Sequence, residues 1–346
     1  MAQWLRRYFT ATSISLTDFN RSKQGLQHPA MIAENDFLIP VWPEGLQHVD
    51  VVKARFVLNF LSPCQLLPAD LLAVGRVQRH AGMQLLDDVA IQQWRALFQP
   101  ALSDDPVARR KFQKPAPAYV VTMPIMQEKR FDAGETLQLE VLFLGIGISL
   151  IHAFLSNLIQ LGRLGLAAGQ GRFTVTEVFS WEPGQSEGLV WHGDQPPEAL
   201  ACSALPLTWL LETERIARNL VIKFITPTRL MVDGKPLRKP RFQQVFPFML
   251  RRTTSMLYAH SGIELLDDPA YLLEQVNELN VVEAKLHWQD WRHLAARQGM
   301  TVGGFLGDMT LQGQALEEVY WVFAVASLLG IGKGATYGAG RFLLSS

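Results

Sequence analysis

Three polar residues that could act on a phosphate group lie close together in the first third of the sequence: Arg76, Arg79 and His80. The sequence after a proline predicts a helix over residues 69–86, where a spacing of three or four residues places these side chains on one face. Histidine exchanges protons near neutral pH, and arginine binds phosphate oxygens. The same spacing is also typical of a solvated helix face whose histidine has no chemical role, and the residues alone leave both interpretations open.

A second candidate is the glycine-rich segment near the C-terminus, which follows an apolar run over residues 319–329. The pattern predicts a helix, a glycine loop and a closing strand. Glycines let the backbone adopt positive φ and approach a partner closely, and successive N–H groups beside a lysine form a concavity suited to phosphate. The residues predicted to contact such a polyanion are Gly332, Lys333, Gly334, Thr336, Gly338, Gly340 and Arg341. A glycine turn that only joins a helix to a strand is the alternative.

This segment does not match two familiar phosphate-binding motifs. A Walker loop requires glycine where Ser327 stands and Ser or Thr after the lysine, where Gly334 stands. A dinucleotide fingerprint follows a strand and opens a helix, and here that order is reversed. The segment therefore predicts neither kind of nucleotide site.

Further cations cluster before and within a helix predicted over residues 242–260. The chain carries 32 Lys and Arg against 32 Asp and Glu, so it has no overall basic field to attract nucleic acid. Any contact with a polyanion must then come from local clusters. The residues assigned to this contact are Arg238, Lys239, Arg241, Arg251 and Arg252.

The composition is that of a folded protein, with 48% hydrophobic residues among 346. The two cysteines, Cys64 and Cys202, are far apart, which predicts neither a disulfide framework nor a zinc knuckle. His287 and His293 would share a strand face, but they lack further ligands at useful spacing. We expect no metal, no secretory signal and no membrane association, and a cytoplasmic location.

An internal repeat predicts the fold. Residues 161–173 read as helix end, Leu161-Gly162, glycine loop and Gly171-Arg172-Phe173, and residues 329–342 repeat this order. With the other predicted elements, each half reads as strand, helix, strand, strand, helix, loop, strand. This order is βαββαβ, so the sequence predicts an α+β protein of two tandem ferredoxin-like, or RRM-like, domains.

The predicted boundaries follow from these elements. Residues 1–50 form an N-terminal extension and residues 51–195 the first ferredoxin-like domain, which would carry the catalytic side. A linker over residues 196–218 leads to the second domain, residues 219–346, with the glycine loop.

The sequence resembles the CRISPR-associated endoribonucleases of the RAMP superfamily that process precursor CRISPR RNA. The resemblance rests on Phe224 to Leu230 (FITPTRL), on the run from Trp291 to Gly307, and on Gly332 to Arg341 (GKGATYGAGR). It is clear from residue 219 to the end, extends less strongly over residues 51–179, and is absent from the first fifty residues. It implies CRISPR repeat RNA, or crRNA, as the partner.

The family's chemistry is metal-independent cleavage without a cofactor, in which a ribose 2′-hydroxyl attacks phosphorus and leaves a 2′,3′-cyclic phosphate. The mature crRNA would pass to an effector complex, whose other subunits are possible partners. The catalytic histidine of this family typically lies in or near the first helix of the N-terminal domain. Carried over to this chain, the resemblance implies His80 as the catalytic residue, with Arg79 and Arg76 beside it.

Several alternatives remain open on the sequence. His48, His152 and His260 compete with His80, although His152 on its apolar helix is more typical of a packed core residue. A non-catalytic RAMP subunit that holds crRNA in an effector complex would share the fold and the loop. A tandem ferredoxin-like scaffold that binds only proteins is a third function, and salt-sensitive RNA affinity would distinguish it.

Overall fold

The computed structural model describes residues 37–67, 70, 88–101, 104, 115–122, 127–166, 170–182, 184, 187–211, 213, 215–266, 268–290 and 303–345. These residues belong to one compact unit, Phe37–Ser346. Its strands are β1 Phe37–Leu38, β2 Asp50–Phe60, β3 Cys64–Leu66, β4 Tyr119–Val121, β5 Lys129–Phe131, β6 Thr136–Leu144, β7 Phe173–Trp181, β8 Glu187–His192, β9 Leu205–Pro206, β10 Ile216–Ala217, β11 Asn219–Thr228, β12 Met231–Val232, β13 Lys235–Pro236, β14 Asn280–Asp290, β15 Gly303–Gln312 and β16 Phe342–Ser345. Its α-helices are α1 Asp88–Phe98, α2 Ile146–Ser149, α3 Ile151–Leu164, α4 Leu207–Leu211, α5 Phe242–Ser261, α6 Pro269–Asn277 and α7 Leu316–Leu329.

The N-terminal sheet is built around β2, whose alternating apolar residues point to one face. Its strand order is β4-β6-β2-β7-β8, with β9 paired to the start of β2. Phe56 on β2 is fully buried and packs against Phe154 of α3 with ring centroids 5.3 Å apart. The order of its first four strands is that of a ferredoxin-like sheet, and β8 extends the edge beyond β7.

The C-terminal sheet repeats this arrangement in the order β14-β15-β11-β16. Leu220, Ile222 and Phe224 of β11 are buried together with residues of α5 and α7, because strand residues two apart share a face. The prediction of two ferredoxin-like domains is confirmed. Pro247 lies inside α5, which starts at Phe242.

Helix α5 of the C-terminal domain also contacts the N-terminal domain. His260, 5% exposed near the end of α5, places its Nε2 2.8 Å from the carbonyl oxygen of Ala116, just before β4. A Cβ added to Gly145, after β6, would lie 1.9 Å from the carbonyl oxygen of His260. The two domains therefore meet through close backbone packing at this point.

Candidate nucleic-acid interface

The glycine loop runs from the end of α7 to the start of β16. Gly330 ends the helix with a φ of 63°, and a short 3-10 helix over Ala335–Tyr337 is flanked by Gly334 and Gly338, whose φ values are 86° and 93°. L-residues with a Cβ rarely adopt this left-handed region. The predicted sequence of helix, glycine loop and strand is therefore what the chain forms.

Two glycines of the loop are required by close backbone contacts. A Cβ on Gly340 would lie 1.8 Å from the carbonyl oxygen of Ile331, and one on Gly332 would lie 2.5 Å from that of Arg229. The N–H of Gly340 donates to the carbonyl of Pro227 at 3.1 Å. These contacts fix the loop against the end of β11.

Most N–H groups of the loop bond inside the protein. The N–H of Arg341 donates to Thr226 Oγ1 at 2.7 Å, and that of Lys333 donates to the carbonyl of Arg229 at 2.9 Å. Other loop residues whose N–H groups donate to backbone carbonyls are Ile331, Ala335, Tyr337, Gly338, Ala339 and Gly340. Most N–H groups predicted to bind phosphate therefore already have acceptors within the folded protein. The exposed side chain of Lys333 is the better contact for an anion.

Arg252 and Thr336 support the loop from beneath. The Arg252 guanidinium lies 3.4 Å from the carbonyl oxygen of Leu329 and 3.5 Å from Thr336 Oγ1. Thr336 is only 6% exposed, and burial lowers the pKa of Arg252 to about 10, which leaves it charged at neutral pH. The structure thus places both residues inside the loop's base, although the sequence predicted RNA contacts for them.

The remaining predicted cations divide between two neighbourhoods. Arg238, Lys239 and Arg241 are exposed and surround the N-terminus of α5, whose first turn contains no acidic residue. A helix N-terminus carries partial positive charge, so this cluster favours an anionic partner. Arg251 points elsewhere: its guanidinium lies 4.9 Å from the Phe248 ring centroid, beside a pocket lined in part by α6.

Two residues absent from the predicted site join these regions. The guanidinium of Arg229 donates to the carbonyl oxygen of Gly303 at 3.4 Å, and the indole of Trp288 lies against the same glycine. Arg238 lies over the Trp288 ring, 5.3 Å from its centroid. Trp288 had no sequence signal beyond its place on a predicted strand, whereas Arg229 belongs to the FITPTRL motif and was not assigned a contact.

The glycine loop also reaches the N-terminal domain. The hydroxyl oxygen of Tyr337 lies 3.5 Å from that of Tyr119 on β4, with ring centroids 6.3 Å apart. Tyr119 in turn packs against Phe98, the last residue of α1. The loop is therefore positioned beside the helical layer of the domain expected to carry the catalytic histidine.

His80, Arg79 and Arg76 lie outside the described residues, and their assignment remains a prediction. The competing His260 is held neutral, because burial lowers its pKa to about 4; the hydrogen bond to Ala116 opposes this shift, and the nearby Arg252 adds to it. It is therefore poorly suited to proton transfer near pH 7. His48 is exposed, and His152 is half-buried with its Nε2 3.4 Å from Gln93 Oε1.

The earlier copy of the loop aligns differently from the sequence-based pairing. Helix α3 ends at Gly165 with a φ of 84° and a ψ of 155°, and α7 ends at Gly330 with 63° and 165°. The N–H of Leu166 donates to the carbonyl of Gly171, just as that of Ile331 donates to Gly340. Pairing Gly162 with Gly330 was therefore wrong by one helical turn. The first loop is four residues shorter, since 166–171 corresponds to 331–340.

Neither metal ligation nor membrane insertion is indicated by the described residues. In that part of the chain, no group of three or more His, Cys, Asp or Glu side chains is placed to hold an ion. None of the described helices is long and apolar enough to cross a bilayer.

Two family models match parts of this chain. Residues 222–342 match the family model described as CRISPR-associated endoribonuclease Cas6, and residues 89–202 match a model described as an N-terminal domain. No curated protein matches the chain.

Solved structures with this fold include Cas6 proteins. A Cas6 product complex has a TM-score of 0.50 and 20% identity, covering 86% of this chain and 99% of its own. A second Cas6 product complex has a TM-score of 0.49 and 18% identity, covering 86% and 100%. Thermus thermophilus Cas6 has a TM-score of 0.48 and 17% identity, covering 86% and 99%.

Proposed function

We propose that this chain is a CRISPR-associated protein of the Cas6 type, which binds CRISPR repeat RNA and cleaves precursor crRNA. The observation that carries the proposal is the family match over residues 222–342, which includes the whole glycine loop and Lys333. The exposed cations Lys333, Arg238 and Lys239 support it, because phosphate contacts from such residues provide most sequence-independent RNA affinity.

The proposed chemistry is an intramolecular displacement at phosphorus without a metal. The 2′-hydroxyl upstream of the scissile bond loses its proton to a base while its oxygen bonds to phosphorus, and the P–O5′ bond breaks. The 5′-oxygen takes a proton from an acid, leaving a 2′,3′-cyclic phosphate and a 5′-hydroxyl. His80 would exchange these protons, and Arg76 and Arg79 would stabilise charge on the phosphoryl oxygens.

This assignment gives the two domains different roles in RNA binding and cleavage. The second domain would hold the RNA through Lys333 and the cations at the start of α5, and the first domain would supply His80. The contact between Tyr337 and Tyr119 ties the loop to the first domain. The mature crRNA would then be available to an effector complex.

Cleavage of a labelled cognate repeat RNA in EDTA tests this proposal. We expect wild type to cut once, His80→Ala to bind with unchanged affinity and cut at least a hundredfold more slowly, and His48→Ala to behave as wild type. RNA binding without cleavage by wild type would favour the non-catalytic crRNA-holding subunit instead. Full activity in His80→Ala would reject His80 alone.

A further inference from the structure

We propose that Trp288 and Arg238 form a stacking site for one unpaired base of the bound RNA, so that Trp288 fixes the position of that base without reading its identity. The proposal rests on the proposed function. Trp288 is half-buried near the end of the edge strand β14, opposite the fully buried Phe305. The Arg238 guanidinium lies 5.3 Å from the indole centroid and is itself exposed.

A continuous set of contacts links this indole to the glycine loop. A Cβ on Gly303 would lie 3.2 Å from the Trp288 ring, so the backbone of β15 passes directly beside the indole. The carbonyl oxygen of Gly303 accepts from the Arg229 guanidinium at 3.4 Å. The carbonyl oxygen of Arg229 accepts from the N–H of Lys333 at 2.9 Å. A base at Trp288 and a phosphate at Lys333 would therefore engage the same rigid end of the sheet.

The chemistry of the pair fits a nucleobase. Indole and guanidinium groups both present flat π surfaces, and unstacked RNA bases stack on aromatic rings and on arginine planes. Arg238 lies over Trp288 and is followed in the chain by Lys239, and Arg229 contacts the glycine beside the indole. This positive charge favours nucleic acid over an apolar protein segment. Stacking accepts any base, so the site would register an unpaired position rather than read one letter.

Binding of a repeat RNA blocked by a 2′-deoxy substitution at the scissile nucleotide tests the site. We expect Trp288→Ala to weaken binding by about tenfold, within the range for loss of one stacked base, and Trp288→Phe to retain most of the affinity. Because an indole neutralises no phosphate, Trp288→Ala should leave the slope of log K against log salt unchanged. Lys333→Ala should instead reduce that slope by about 0.7 to 0.9.

RNAs with a single abasic site identify the stacked base. At one unpaired position, removal of the base should lower the affinity of wild type about tenfold. The same removal should not lower the affinity of Trp288→Ala any further. Arg238→Lys keeps the charge but loses the flat guanidinium and leaves the strand unchanged, so removal of that base should reduce its affinity by less than it reduces that of wild type. Circular dichroism verifies that both variants are folded.

Three results would overturn the stacking site. The first is that Trp288→Ala binds the RNA as tightly as wild type. The second is that every abasic position lowers the affinity of folded Trp288→Ala and of wild type by the same factor. Either result leaves the proposed function standing if wild type still binds repeat RNA with salt sensitivity. Absence of that salt-sensitive binding in wild type would reject the proposed function and this site with it.

Discussion

The backbone N–H of Lys333 donates a 2.9 Å hydrogen bond to the carbonyl oxygen of Arg229, while the lysine side chain is exposed. This bond fixes the base of the side chain to the end of β11 and leaves the ammonium group outside. Because Gly332 precedes it with a φ of 80°, the chain turns sharply at this point. Lys333 is therefore a cation on a rigid support.

Lys333→Ala should weaken repeat RNA binding and reduce its salt dependence. One lost phosphate contact lowers the slope of log K against log salt by about 0.7 to 0.9. Lys333→Arg should retain most of the affinity and most of its salt dependence. Lys285→Ala, which removes an exposed lysine paired with Glu283 at 2.7 Å, is the control and should bind as wild type. Equal salt slopes for Lys333→Ala and wild type would contradict an RNA contact here.

Gly340→Ala should destabilise the protein more than Gly234→Ala. Both glycines have positive φ, 66° and 75°, so each substitution incurs a backbone cost of about 1–2 kcal/mol. Only at Gly340 would the new methyl group also meet the Ile331 carbonyl oxygen, at 1.8 Å, whereas nothing lies within 4 Å at Gly234. Urea denaturation measures the difference. Equal midpoints for the two variants would show that the close approach is relieved without cost.

The glycine loop shows how far the sequence determines this site. The glycines, the helix before them and the strand after them were all predictable from composition and periodicity. The internal hydrogen bonds were not, because they depend on how the loop packs against Pro227 and Arg229 at the end of another strand. The predicted concavity of free N–H groups is therefore not formed, because most of these groups donate within the protein. The exposed side chain of Lys333 remains as the contact for an anion.

The presence of two domains of the same fold was predictable for a similar reason. In strands such as β2 and β11 the residues of one face are buried and several of those between them are less buried, and this period of two can be read from the sequence without knowledge of tertiary contacts. The pairing of Gly162 with Gly330 was wrong because Leu-Gly occurs in both Leu161-Gly162 and Leu164-Gly165, and only the helix end distinguishes them. The stacking of Arg238 on Trp288 joins residues fifty positions apart, which no local pattern encodes.

Arg252→Met should change stability little while weakening RNA binding severalfold, because it removes a buried cation but also the hydrogen bonds to Leu329 and Thr336. Burial lowers the pKa of Arg252, which means that the folded protein holds a cation in an unfavourable environment. An apolar side chain of similar length removes that cost but also removes positive charge beneath the loop. Thermal denaturation and RNA titration are compared for the two proteins. A large loss of stability would instead assign Arg252 a structural role alone.

His260→Gln should reduce the loss of stability on acidification. The folded-state pKa of His260 is about 4, below its ordinary value of 6.5, so between these values the unfolded chain binds a proton that the folded chain does not. Stability conferred by neutral His260 is therefore complete above about pH 6.5 and is lost as the pH falls, by up to about 1.4 kcal/mol per pH unit.

Glutamine cannot titrate and can still donate to the Ala116 carbonyl, which makes it the matched substitution. Free energies of unfolding are measured for both proteins from pH 4 to pH 8. The difference between them should grow in favour of the variant as the pH decreases. A difference independent of pH would show that His260 is not held neutral at the domain contact.

The role of the ribose 2′-hydroxyl can be measured with a repeat RNA that carries a single 2′-deoxy nucleotide at the scissile position, in EDTA. We expect wild type to cut the all-ribose RNA to a product with a 2′,3′-cyclic phosphate end, and to bind the 2′-deoxy RNA equally well without cutting it. Cleavage of the 2′-deoxy RNA would contradict 2′-hydroxyl attack by this protein, and a requirement for added metal would contradict cleavage without a metal.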